Sequence, residues 1–334
     1  MATIGKYNAL TDVDGILVGH YTHTDAASGV TVVICAEGAV TGVDVRGSAP
    51  GTRETDLLAP TNLVEKAQAV VLSGGSVFGL AAADGVVRWL ANKGSGFPLD
   101  KGHVAPIVPA AVLYDLGRGA DFVPPIGADW GENACREANN GPVACGCVGA
   151  GTGAWSGSIK GGLGSASLIL DSGVTVAALV AVNSAGSVIN PDTGCPWEIG
   201  LQIGNEFGQE GKRAVRFPLL TESAPVKNTT IGIIATDAIL TKAQAQKIAQ
   251  MAHDGMARAI RPSHTMFDGD AIFCMATGKR KFSANSGFFS TPHAPAINEI
   301  GHATADCVSR AIIRAILTAT SMAGMTAFCD LENR

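Results

Sequence analysis

Residues 226 to 236 read Val226-Lys227-Asn228-Thr229-Thr230-Ile231-Gly232-Ile233-Ile234-Ala235-Thr236, a polar stop running directly into an apolar, β-branched stretch. One reading is a turn followed by the first residues of a buried strand. The other is a self-cleaving junction. If the chain is cut between Asn228 and Thr229, Thr229 becomes a new N-terminus with a hydroxyl nucleophile, and its own α-amine, titrating near ~8, can take the hydroxyl proton. Asn228-Thr229-Thr230 also fits the N-glycosylation pattern. Met1 to Leu17 lacks a basic segment followed by an apolar stretch and a small-residue cleavage site, which argues against secretion and so against glycosylation.

Upstream of the junction, composition between Val182 and Thr230 shifts to Asn, Pro, Gly, Glu and Lys, and Arg213 to Thr229 carries no sustained helical or strand period. A long irregular stretch of this kind is usually functional or mobile, and an exposed linker is where processing is sterically easy. Downstream, 229–334 reads as strand, helix, strand, helix, too little to build a core without the first 228 residues. We therefore expect one folded unit over 1–334, cut into 1–228 and 229–334 that stay associated.

Strand-like runs recur at Ile16 to Tyr21, Val30 to Cys35, Val40 to Val45, Ala69 to Leu72, Val143 to Val148, Ser167 to Leu170, Val174 to Val182, Thr230 to Thr236 and Ala271 to Ala276. Helices are predicted over Ser76 to Ala91, Thr241 to Ile260 and Ala296 to Thr320. The second opens with a Thr241-x-x-Gln244 capping box and places Ile248, Met251, Ala252 and Met256 on one face. The third repeats the pattern with Ile297, Ile300, Ala303, Cys307, Ala311 and Ala315. These stripes are core packing, and the alternation of strands and helices indicates an α/β protein.

Composition narrows the function classes. A formal charge of −5 in 334 residues gives no electrostatic reason to expect nucleic acid or an anionic membrane. Charged residues make up 16% against 46% apolar, with 42 glycines, as in a tightly turned chain burying much of its surface. Apolar runs such as Val174 to Val182 are too short to span a bilayer, so a soluble cytoplasmic protein is expected. The eight cysteines are scattered, which favours reduced thiols over bridges. Cys145-Gly146-Cys147 is the one close pair, and no histidine set completes a metal site around it.

Three further motifs compete. Gly149-Ala150-Gly151-Thr152-Gly153-Ala154 fits the dinucleotide pattern and has Asp171 downstream, but Trp155 to Gly164 is too glycine-rich to be the helix that motif requires. Ser73-Gly74-Gly75-Ser76 reads either as an anion-binding strand-to-helix turn or as tight packing of helix on sheet, and it is not the G-x-S-x-G elbow of a serine hydrolase. Asp268-Gly269-Asp270 places two carboxylates on one face at the mouth of a strand, where they raise each other's pKa. It reads as a plain turn or as an arrangement that orients a catalytic group. The following Ala271-Ile272-Phe273 supplies none of the ligands of a calcium loop.

Taken together, Arg46 to Glu54, Ser73 to Ser76, Val112 to Asp115, Asn228 to Ile231 and His264 to Asp270 resemble the L-aminopeptidase/D-esterase family of N-terminal-nucleophile hydrolases over nearly the whole chain. Within it the sequence looks most like the 6-aminohexanoate-oligomer (nylon-oligomer) hydrolases, with threonine after asparagine at the nucleophile and Asp-Gly-Asp downstream. The aminopeptidase branch has glycine before a serine nucleophile, with serine and glutamate at the downstream pair. The resemblance implies a four-layer α-β-β-α sandwich, self-cleavage into two subunits, and a homotetramer of such heterodimers. It implies a peptidase-like amidohydrolase with no cofactor and no metal, acting on a small-molecule amide or oligopeptide. It maps the nucleophile onto Thr229, the oxyanion-stabilising asparagine onto Asn183, a nearby lysine onto Lys160, and the groups orienting the nucleophile and its amine onto Tyr114, Asp268 and Asp270. An aminopeptidase, a β-peptidyl aminopeptidase or an acyltransferase on the same scaffold is the alternative.

Overall fold

Period-two alternation in the strands assigns each face to a different core. The computed structural model describes residues 2–218, 228–281 and 293–334. Nine strands form its main sheet: β1 Leu17–His23, β2 Ser28–Val45, β3 Gly51–Arg53, β4 Lys66–Ser73, β5 Ala110–Val112, β6 Gly162–Ile169, β7 Thr175–Asn183, β8 Thr229–Ala238 and β9 Ala271–Arg280. Their order is β6-β7-β8-β9-β2-β4-β5-β3, with β1 also paired to β2. The α-helices are α1 Ala82–Asn92, α2 Ala128–Arg136, α3 Lys242–Ala259 and α4 Ala294–Leu317.

The two runs expected at Val30 to Cys35 and Val40 to Val45 are one strand. Val30 to Ile34 pairs with β4 and β1, Val40 to Val45 pairs with β9, and the register on β4 shifts between Ile34 and Ala39. β2 thereby carries the hydrogen-bond ladder from one packed half of the sheet to the other. Between the halves lie Ala177, Leu179 and Ala181 of β7, Ile231, Ile233 and Ala235 of β8, and Phe273 and Met275 of β9, facing Val33, Cys35, Val70, Leu72 and Ala111. The alternate residues Val176, Ala178, Val180, Ile234, Ile272 and Cys274 pack outward on α3 and α4. On the far side Val30, Val32, Ile34, Ala69 and Val71 pack on α1 and α2. Three cores between four layers make the α-β-β-α sandwich.

Close approach explains where the sequence reading and the fold part. Gly161 to Gly164 reads as loop, yet Gly162 opens β6 because α4 crosses it closely: a Cβ on Gly164 would lie 2.0 Å from the Ala311 carbonyl, and one on Gly162 2.6 Å from that of Ala315. Val143 to Val148 is not a strand. It meets β6 only at the Gly146–Leu163 bridge, with Gly146 at φ 91°. The short α2 escapes the periodicity because it packs through glycine, Gly131 against the Ala82 carbonyl and Gly85 of α1 against that of Ala128. The helix expected from Ser76 begins as a 3-10 segment, Ser76–Ala81, before α1. The capping box of α3 forms as read, with the Thr241 hydroxyl accepting from the Gln244 amide and the Gln244 side chain accepting from Thr241 N–H at 2.9 Å. Among the described residues, no helix is long and apolar enough to cross a membrane.

Candidate active site

β7 and β8 run antiparallel with Asn183 opposite Thr229, the last residue of one strand against the first of the other. Directly opposed residues show their side chains on the same face. Both numbers are odd, so by the alternation above both side chains face the space between the two halves of the sheet. There Thr229 is 5% exposed and Asn183 fully buried.

The Thr229 hydroxyl donates to the carbonyl of Asn228 at 2.5 Å. The Gly269 amide reaches both groups, 3.2 Å from Thr229 Oγ1 and 3.3 Å from the Asn228 oxygen. Only a residue without a side chain fits there, since a Cβ on Gly269 would sit 2.9 Å from Thr229 Oγ1 and 2.7 Å from the Ala49 carbonyl. The nucleophile candidate, the carbonyl it could attack and a donor to that carbonyl are thus within one hydrogen-bonded group.

The flanking carboxylates hold this frame. Asp270 Oδ1 accepts from Thr230 N–H at 2.7 Å, and its Oδ2 accepts from the His264 amide at 3.1 Å and bonds His264 Nδ1 at 2.8 Å. His264 makes both contacts by adopting φ 56°, a conformation rare for a residue with a Cβ and costing on the order of 1–3 kcal/mol. Asp268 Oδ2 accepts from the Thr265 amide at 2.8 Å and the Thr265 hydroxyl at 2.6 Å, and Asp268 bridges to Asn228 in parallel. Burial, and after it the neighbouring Asp270 charge, push the Asp268 carboxyl above its ordinary range, against the Thr265 hydrogen bonds.

Tyr114 shares a cavity of about 540 Å³ with Asn228 and Thr229, walled by Val77, Val112, Leu113, Met266 and Phe267. Its carbonyl accepts from Asn183 Nδ2 at 3.2 Å. Thr229, Asn183, Tyr114, Asp268 and Asp270 therefore converge. Lys160 stands one step back: its ammonium donates to the carbonyls of Gly151, Ala154 and Gly161 at 2.8–3.1 Å. Burial lowers it to about 8. It joins the site through Trp155, opposite it in a short ribbon, whose amide donates to Asn183 Oδ1 at 2.9 Å.

The competing motifs resolve into packing. Gly149–Gly151 is a 3-10 turn followed by that ribbon, so the helix N-terminus a pyrophosphate needs is not formed there. The Gly75 amide donates to the chain's own Asp115 side chain at 2.6 Å, a carboxyl that burial pushes above its ordinary range. Among the described residues no three His, Cys, Asp or Glu side chains are grouped to hold a metal ion. Sequence reading missed Gly269, His264 and Arg118. Gly269 was legible as the spacer between two acids, whereas Arg118 carries no motif signal and reaches the site only through the fold.

Fold and site together define a hydrolase of amide bonds on the N-terminal-nucleophile sandwich. The family model of peptidase family S58 matches residues 8–328, and the chain belongs to that family. It is 46% identical to an uncharacterized aminopeptidase of Mycobacterium tuberculosis, over 97% of this chain and 98% of that one. A 6-aminohexanoate-oligomer endohydrolase of Kocuria sp. is 30% identical over 82% of this chain and 76% of its own length. The solved L-aminopeptidase D-Ala-esterase/amidase of Ochrobactrum anthropi superposes with a TM-score of 0.74 at 24% identity, covering 97% of this chain and 90% of that one, and supports the fold.

Proposed function

We propose that the chain cuts itself between Asn228 and Thr229 and then hydrolyses linear amides, 6-aminohexanoate oligomers or short peptides, through an acyl-enzyme on Thr229. The observation that carries this is the Thr229 hydroxyl on the Asn228 carbonyl, with Gly269 N–H on both. In the first reaction Thr229 Oγ attacks the Asn228 carbonyl carbon, the C–N bond breaks as the hydroxyl proton passes to the departing nitrogen, which becomes the Thr229 α-amine, and water then hydrolyses the resulting ester to the Asn228 carboxylate and the Thr229 hydroxyl. In turnover that amine takes the hydroxyl proton, Asn183 Nδ2 holds the oxyanion, and water again clears the ester. Asp270 fixes the backbone at Thr230, Asp268 lies beside the Asn228 segment where the new ammonium emerges, Tyr114 lines the acyl cavity, and Lys160 rigidifies the loop behind Asn183.

After the cut, 1–228 and 229–334 remain one unit, because β8 and β9 lie between β7 and β2 in the sheet. The apolar walls of the cavity suit an aliphatic or side-chain-bearing acyl group. Eight free thiols support a reducing, cytoplasmic location. Assembly into a homotetramer follows from the family likeness and is tested by light scattering. The aminopeptidase reading is favoured by the name of the 46% identical mycobacterial relative. Rates on free and N-acetylated peptides beside 6-aminohexanoate oligomers separate the two. The central test is Thr229→Ala, which leaves a single 34.0 kDa chain without amidase activity. A cut or active variant ends the proposal.

A further inference from the structure

We propose that Arg118 is the positioning residue for Asn183: it fixes the side-chain amide so that Nδ2, the donor, faces the reacting carbonyl. This rests on the oxyanion role given to Asn183 above. Two groups meet one terminal atom of that amide, Arg118 Nη1 at 2.6 Å and the Trp155 backbone N–H at 2.9 Å. A guanidinium and a peptide N–H are donors only, so the atom they share is the oxygen. The nitrogen is thereby turned to the carbonyl of Tyr114, a residue that lines the cavity with Thr229, on the Thr229 face of β7. A rotated amide would put N–H against two donors and offer an oxygen to a developing oxyanion. The amide's orientation and the sign of the site's electrostatics are one choice, and Arg118 makes it.

Arg118 is itself held for this task. The same Nη1 bonds the Gly153 carbonyl, the guanidinium lies 5.9 Å from the centre of the Trp155 ring, and the Asp115 side chain interacts with it electrostatically. Asp115 is anchored on the Gly75 amide, which belongs to the turn after β4. Arg118 thus ties the Gly153 loop to Asn183 at the end of β7 by hydrogen bonds, with Asp115, held on the turn after β4, linked to it electrostatically. An arginine spent on a merely structural bridge could close on any carbonyl; this one closes on the side-chain oxygen that decides which way the oxyanion donor points.

The test is a double-mutant cycle on the purified enzyme with Arg118→Lys, Asn183→Ala and both together. Lysine keeps a positive charge at this half-buried position but loses the reach and geometry of the guanidinium. Asn183→Ala is expected to lower kcat about 10²- to 10³-fold, the usual effect of removing one oxyanion donor. Arg118→Lys should lower kcat by about tenfold or more with KM within about twofold, and should have no further effect when residue 183 is alanine. Equal losses in both backgrounds, a change in KM alone, or an unchanged kcat would overturn the proposal. So would an Arg118→Lys chain that stays uncut while Asn183→Ala is cut, since Arg118 would then act otherwise than through Asn183. If cutting is too slow to yield mature enzyme for kcat, the same rule is applied to the measured rates of self-cleavage, where a loss in the Arg118→Lys chain that persists undiminished in the Asn183→Ala background overturns the proposal. An Asn183→Ala enzyme with wild-type kcat is a different result, removing the oxyanion role of Asn183 itself.

Discussion

Gly269→Ala should slow self-cleavage by about 10- to 100-fold while leaving the sandwich folded. Gly269 is absent from the residues with positive φ, so alanine is compatible with its backbone. The added methyl would stand 2.9 Å from Thr229 Oγ1, 2.7 Å from the Ala49 carbonyl and 3.1 Å from Pro50 Cα. Ordinary contact begins near ~3.5 Å, so the hydroxyl and the 268–270 segment must separate by about 0.5 Å. The Gly269 amide, already 3.2 Å and 3.3 Å from its two acceptors, then moves beyond hydrogen-bonding distance of at least one. Misplacing reacting groups by ~1 Å can cost ~10²-fold, and half that displacement combined with a weakened carbonyl donor gives the stated range. The assay is the decay of full-length chain after a pulse of synthesis, read by intact mass, with thermal unfolding to show that the variant folds. A folded Gly269→Ala chain that is cut at the wild-type rate would refute the role given to the Gly269 amide.

Asp268 sets a pH dependence in the uncut chain. Its folded carboxyl lies above the ordinary value, so in Thr229→Ala it lowers stability as pH rises from below the unfolded pKa through the folded one; adding Asp268→Asn should remove that fall, and parallel melting curves against pH would contradict it. Lys160 has the opposite kind of shift, a base lowered to about 8, so the folded state carries a penalty for its ammonium below that pH which is relieved up to the unfolded value of 10.5. Urea unfolding of the uncut chain and of its Lys160→Met form should therefore diverge further in favour of lysine at about pH 9.5 than at about pH 7.5; a constant difference would show that Lys160 does not titrate in this window. Gly164→Ala forces a methyl to 2.0 Å from the Ala311 carbonyl and should cost about 1–3 kcal/mol by pushing α4 off β6, visible as a drop of several degrees in Tm, whereas an unchanged Tm would mean that α4 has room to move.

What could be read in the sequence was whatever depends on near neighbours. β7, β8 and β9 alternate between two cores, and that alternation is in their sequence, so their positions were legible to within a residue or two at most ends. The cap of α3 was legible because Thr241 and Gln244 satisfy each other across three residues. The proposed junction was legible because the candidate nucleophile and the carbonyl it would attack are adjacent in the chain. Gly161 to Gly164 was not, because the feature that makes those residues look like a loop is what lets β6 lie against α4. Nor was the join between the two β2 runs, since glutamate and glycine at 37 and 38 look like a turn while the strand bends through them.

The site shows the same division. Its carboxylates, with Gly269 between them, lie within three residues and are readable together, but the other donors come from segments far apart: Asn183 from the end of β7, and Arg118 from the stretch after β5, which is 65 residues from Asn183. Asn228, Thr229, Gly269 and Asn183 come together when β7, β8 and β9 pair within one half of the sheet, while Tyr114 and Arg118 reach them from the segment after β5 in the other half. Self-cleavage that needs Gly269 N–H on the Asn228 carbonyl therefore requires a folded chain. A chain in which β9 fails to pair with β8 is expected to keep the Asn228–Thr229 peptide intact, so the extent of cutting would report on that pairing.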